Sequence, residues 1–210
     1  MDFLYCWQSF RKRVLPWFVP HIRWADFPLM LGVAILGGLI AGVYGIVHDQ
    51  VTFTISPEYF TKMKFAQFHY ANFGWGDRVF AGTIGFLATW WAGMFAAWLL
   101  ARRLVPHQPR LVALRQIGQG IACIFVSVLL FGTGGYLYGL WRGPAADNSN
   151  WKPLLRLMDV EHGWAFIRVA YIHNAGYLGI LVGLVIALVC IRPAKPSPQQ
   201  ASLSGSSSDS

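Results

Sequence analysis

Four stretches of this chain, 27–47, 79–101, 116–141 and 169–191, contain no Asp, Glu, Lys or Arg, and each exceeds 20 residues. A hydrocarbon core about 30 Å thick is crossed by roughly 20 helical residues, each rising about 1.5 Å. Lipid offers the backbone no hydrogen-bond partners, so a spanning segment of this kind must be helical. The fold class expected is therefore an all-α membrane protein, a bundle of four transmembrane helices. Charged residues make up only 12% of the 210-residue chain, against about 25% in a soluble domain. No loop is long enough for a second globular domain. The organisation expected is an amphipathic cytoplasmic N-terminal segment over 1–26, a four-span domain over 27–191 and a disordered tail over 192–210.

The net charge of +8 raises the question of nucleic acid. No basic helix or aromatic-interleaved basic patch answers it. Basic residues flanking spans set orientation instead. Ten of them lie before span one (Arg11, Lys12, Arg13, Arg23), between spans two and three (Arg102, Arg103, Arg110, Arg115) and after span four (Arg192, Lys195). Six lie in the other two loops: Lys62, Lys64, Arg78, Arg142, Lys152 and Arg156. The bias places both termini in the cytoplasm. Apolar residues around Arg11-Lys12-Arg13 suit a segment lying on the membrane surface. From Pro193 the chain is rich in Ser, Pro and Gln and has little to bury.

Small residues at four-residue spacing mark faces where helices approach closely in lipid. Span two carries Ala81, Gly85, Thr89, Gly93 and Ala97, and span four carries Ala175, Gly179, Gly183 and Ala187. Span one offers Ala34/Gly38/Gly42 and Gly37/Ala41/Gly45; span three offers Gly118/Ala122 and a cluster from Gly132 to Gly139. A self-packed bundle accounts for these rows, and a dimer is the alternative.

Chemistry concentrates on the non-cytoplasmic side. Its loops and span ends hold Asp49, Glu58, Asp77, Asp147, Asp159 and Glu161, with His48, His69, His162 and His173. Ser56-Pro57-Glu58 reads as a helix start, with a helix over 57–71 forming an ordered helical cap and 51–55 extended before it. Span four is expected to begin near Asp159 or Trp164. Ionisable groups at membrane depth are functional candidates, and imidazole ligates zinc, copper and haem iron. The candidate ligands for a transition metal or haem are His48, His173, His69 and Glu58. His162 and His173 are eleven residues apart, about 16 Å on one helix, and cannot share an ion. The alternative is a polar network in which His48 and Asp49 cap span one, His173 and Asn174 bond loop carbonyls, and Arg168 pairs with Glu161 or Asp49; His162 belongs to the same group.

Cys6, Cys123 and Cys190 have no metal or redox spacing. No HExxH, GxSxG, Walker or dinucleotide motif is present, so an enzyme is the weaker expectation. No string of residues, including the motif-like run from His48 to Phe60, ties the chain to a characterised family. The function expected is a non-enzymatic structural or accessory component of a membrane complex, whose partners are the bilayer and another membrane protein or a second copy. The alternatives are a metal- or haem-binding redox protein and a small transporter or channel subunit.

Overall fold

The computed structural model describes residues 23–193. The expected N-terminal surface segment, apart from its last four residues, and the expected tail beyond residue 193 lie outside the described residues, as does Cys6. Four long helices dominate: α1 (Phe27–Ile55), α2 (Asp77–Leu104), α3 (Arg110–Arg142) and α4 (Gly163–Cys190). All four are long and apolar enough to cross a membrane. No strand is present among the described residues.

Each helix overruns its apolar stretch. α1 continues through 51–55, the run expected to be extended, and ends at Ser56. The Ser56 Oγ then accepts the Tyr59 N–H at 3.4 Å, so this serine opens the next segment as its position suggested. His48 and Asp49 consequently lie two turns inside α1 and do not cap it. α4 begins at Gly163, close to the expected start. Between α1 and α2 the chain forms a strap: a π-helical run over Tyr59–Lys64, one α turn at Phe65–Gln67 and a 3₁₀ turn at His69–Ala71. The expected helix over 57–71 is thus wound in three different ways. A short helix, Lys152–Leu157, precedes α4.

The helices pack as two hairpins, α1 with α2 and α3 with α4, and the seam between the hairpins is sparser. The small-residue rows explain both pairings. A Cβ built on Gly85 would strike the Gly45 carbonyl and come within 3.0 Å of the Asp49 Cβ. The Thr89 hydroxyl, on the same α2 row, donates to the Ala41 carbonyl at 2.7 Å, shared with its own Gly85 carbonyl at 2.8 Å. On the other hairpin, a Cβ on Gly183 would sit 2.8 Å from the Ile124 Cα, and one on Gly179 would sit 2.9 Å from the Val128 Cα. Backbones this close gain dispersion contacts along their length, which is how helices associate when lipid is as apolar as their side chains.

Two apolar clusters close the seam at its ends. One gathers Met30, Val33, Leu100, Leu104, Ile117 and Ala187. The other gathers Phe53, Tyr59, Phe60, Ala81, Phe166 and Val169, and so brings the strap onto α1, α2 and α4. Elsewhere large apolar side chains face outward: Leu36 is 57% exposed, Val43 58%, Leu130 68% and Leu181 59%. A belt of this kind matches an apolar solvent.

Gly85→Val is expected to destabilise the α1–α2 hairpin by about 1–3 kcal/mol through overpacking. Gly118→Val, at a glycine with nothing within 4 Å of a built Cβ, serves as the control and shifts stability far less. Unfolding in mixed micelles measures both. Equal stabilities would contradict the packing described.

Candidate polar and metal site

At the seam between the hairpins, α1 and α4 bring three side chains together. His48, Asp49 and His173 each offer one ligand atom, and these atoms all lie within 4.8 Å of one another. Asp49 Oδ1 lies 3.0 Å from His48 Nδ1 and 3.3 Å from His173 Nε2. Asp49 and His173 are buried, at 4% and 8% exposure. The Thr52 hydroxyl bonds the His48 carbonyl at 3.1 Å and steadies the turn that presents the pair.

The orientation of His173 carries chemical information. Its Nδ1 lies 3.0 Å from the Val169 carbonyl. A carbonyl only accepts, so Nδ1 holds a proton, and in the neutral imidazole Nε2 then carries a lone pair. That lone pair points at a carboxylate oxygen, and two acceptors repel at 3.3 Å. A cation between or on them resolves the conflict: a proton on His173 Nε2 or on the carboxylate, or a metal ion. The His173 ring is held on its other sides as well. It stacks on Tyr59 with centroids 4.9 Å apart and meets His48 edge-on at 4.8 Å. Tyr44 stands 5.6 Å from the His48 ring.

Lys64 reaches the same crevice from the strap, and with Tyr44 and Tyr177 it lines a cavity of about 30 Å³ beside the three ligands. Its ammonium lies 5.9 Å from the centroids of both Tyr59 and Phe68. Burial pushes the Lys64 ammonium below the usual lysine range, and the Asp49 charge opposes that shift. Neither Lys64 nor Tyr59 was a candidate from sequence. Ordinary α-helical winding would set residues five apart about 140° from each other; the π-helical run, with its i→i+5 bonding, turns both toward the site.

Of the sequence candidates, His48 and His173 converge, and Asp49 joins them as the shared carboxylate. His69 and Glu58 lie outside the group. His69 is exposed on the strap, with Nδ1 3.1 Å from the Ala66 carbonyl. Glu58 is committed elsewhere: its two oxygens accept the backbone N–H groups of Glu161 and His162 at 2.9 and 2.7 Å. It complements the start of α4 across more than 100 residues, and not the start of its own segment. Desolvation, the largest single influence, tends to raise its carboxyl. The two backbone bonds, with His162 and Lys62 nearby, outweigh this and hold it below the usual range.

Other network expectations are corrected. Among the described residues Arg168 pairs with neither Glu161 nor Asp49. Its guanidinium lies 4.0 Å over the Trp164 ring, whose indole N–H donates to the Gly139 carbonyl at 3.2 Å. The aromatic face is nearer on the helix than either acid. Glu161 and His162 supply backbone N–H groups to Glu58. Asn174 is exposed on α4 and bonds no loop carbonyl among the described residues. The His48 and His173 rings touch, and the cavity beside them is far smaller than a porphyrin, so a haem held between them does not fit.

No protein-family model, curated protein or solved structure matches this sequence.

Glu58→Gln is expected to lower stability at neutral pH by about 1 kcal/mol or less, a helix-capping contribution discounted for exposure. The folded carboxyl lies below its unfolded value of about 4.3. Its contribution is therefore full above that value and fades as the pH falls through the folded one. Unfolding measured from pH 7 down to 3 should show the gap between the two proteins closing; a gap independent of pH would contradict the assignment.

Proposed function

We propose that this chain is a multi-pass integral membrane protein that holds a divalent transition-metal ion between its two hairpins, through His48, Asp49 and His173. The observation that carries the reading is the His173 imidazole, with Nδ1–H on a backbone carbonyl and Nε2 aimed at a carboxylate. Metal-bound histidines characteristically donate their other N–H in this way, which fixes the tautomer and the ring. Two imidazoles and one carboxylate suit zinc, iron or another first-row ion and leave coordination positions open. With ligand distances of about 2.0–2.2 Å, donor atoms around a tetrahedral ion stand roughly 3.3–3.6 Å apart. The two separations from Asp49 Oδ1, 3.0 and 3.3 Å, are close to that, and all three ligand atoms lie within 4.8 Å of one another. Neither cysteine among the described residues belongs to the group, which argues against a soft-metal site. On the reading that the basic-residue bias keeps both termini cytoplasmic, this end of the bundle faces away from the cytoplasm.

A second reading keeps the accessory role expected from sequence and treats the three side chains as a hydrogen-bonded ion pair. It is favoured by the 3.0 Å contact of His48 Nδ1 with Asp49, which is already a good hydrogen bond.

Elemental analysis separates the two. The metal reading expects about one equivalent of a transition metal in protein purified in mild detergent and equilibrated with buffered zinc. Asp49→Asn and His173→Gln should weaken binding by about 100-fold or more, since losing even the residue behind a ligand costs roughly 10–100-fold. A protein that stays folded and takes up no metal would leave the ion-pair reading in place.

A further inference from the structure

A second cavity adjoins the polar crevice. It has a volume of about 80 Å³ and is lined almost wholly by apolar atoms, among them Ile40, Ala92, Ile121 and Ile124. One water needs roughly 10–15 Å³ of such space, and an apolar cavity of this kind stays dry and takes apolar guests. Tyr44, Thr89, Val128 and Ile180 line both cavities, so the two abut along these side chains. From His48 to Gly37, at the far end of the lining, α1 advances eleven residues, about 16 Å. That is half of a hydrocarbon core about 30 Å thick, the depth of one leaflet. Ile40 and Phe125, which line the apolar part, are themselves 42% and 39% exposed, so its mouth opens sideways through the belt that faces lipid.

The polar end has a chemistry of its own. Asp49 is occupied by the two histidines. The Lys64 ammonium lies against two aromatic faces and shares the crevice with Asp49, but makes no ion pair among the described residues. A half-buried cation beside a small cavity attracts an anion. This polar end, at about 30 Å³, is the smaller part of the space, against about 80 Å³ for the apolar part, and so favours a compact anionic headgroup such as a carboxylate.

We propose that the seam is a binding site for a long-chain fatty acid, with its carboxylate at Lys64 and its chain along the apolar cavity toward the bilayer midplane. The inference rests on the membrane reading of the four helices and is independent of whether an ion occupies the histidine site. A carboxylate at Lys64 also lies beside the open coordination positions of such an ion.

The test uses the full chain in phosphatidylcholine nanodiscs with a palmitate analogue carrying a photoreactive diazirine in mid-chain, and maps the labelled peptides by mass spectrometry. Labelling within 121–128 should saturate and should be competed by palmitate. Ala92→Phe and Ile121→Trp, which fill the cavity from different helices, should abolish it, with metal content unchanged on the same samples. Lys64→Gln should weaken palmitate competition about tenfold, the equivalent of one charge-assisted hydrogen bond, and leave competition by hexadecanol as it was. Labelling that does not saturate, that equals labelling at lipid-facing Leu36 and Leu181, or that survives both cavity-filling variants would overturn the proposal. A blank metal analysis with saturable labelling would remove the metal reading alone. A chain that stays dispersed without detergent would remove the membrane reading.

Discussion

A carboxylate buried among helices long enough to cross a membrane needs a compensating charge within hydrogen-bond reach, because an isolated charge there costs several kcal/mol. Asp49 is that carboxylate, and much of the molecule is arranged around it. Its partners come from its own helix and from the opposite hairpin, so satisfying one side chain joins the two halves. Thr52 braces the turn, Tyr59 covers the His173 ring, and the Val169 carbonyl fixes which nitrogen faces the acid. Breaking such a contact from one side strands the other partner, which is more costly than the bond's own net contribution.

The two hairpins differ from the seam that joins them. Within each hairpin, glycine rows bring backbones into contact, and the energy is spread over many small dispersion terms. Across the seam the contacts are fewer: the Asp49 cluster, the edge-on pair of Tyr44 and Phe125 at 5.2 Å, and an apolar cluster at either end. Relative movement of the hairpins would therefore break least along the seam, and this is also where the molecule leaves space. A site built there is coupled to how the halves sit together, and an occupant of the seam would act on both.

Much of the architecture was legible in the sequence, because bilayer thickness and helical rise leave little freedom. The uncharged stretches located all four long helices, and the rows through Gly85 and Gly179 marked the faces that meet. His48 and His173 were singled out as intramembrane ionisable groups at matching depth, and they do meet. Other features depended on three-dimensional facts without a local signal. α1 runs on to Ile55 although β-branched Val51, Thr52 and Thr54 favour strands: Thr52 and Phe53 are buried in the bundle, and the Thr52 and Thr54 hydroxyls bond carbonyls one helical turn back, while alternation over five residues does not separate helix from strand. Lys64 and Tyr59 share a face only because the strap winds as a π-helix. Glu58 reaches α4 across a contact that no spacing announces, and Arg168 takes an aromatic face one turn away in place of an acid. Asp49 was read as a cap, since the apolar stretch ended beside it.

The central claim concerns the proton on one imidazole, and nitrogen NMR of histidine-labelled protein addresses it directly. Spectra would be recorded with zinc bound and after chelation, and the His173 signals identified by their loss in His173→Gln. The account predicts Nδ1 protonated and Nε2 unprotonated when zinc is present, with the Nε2 resonance shifting when the ion is removed. A His173 protonated on both nitrogens and indifferent to zinc would contradict it, and would make the cluster a buried imidazolium–carboxylate pair.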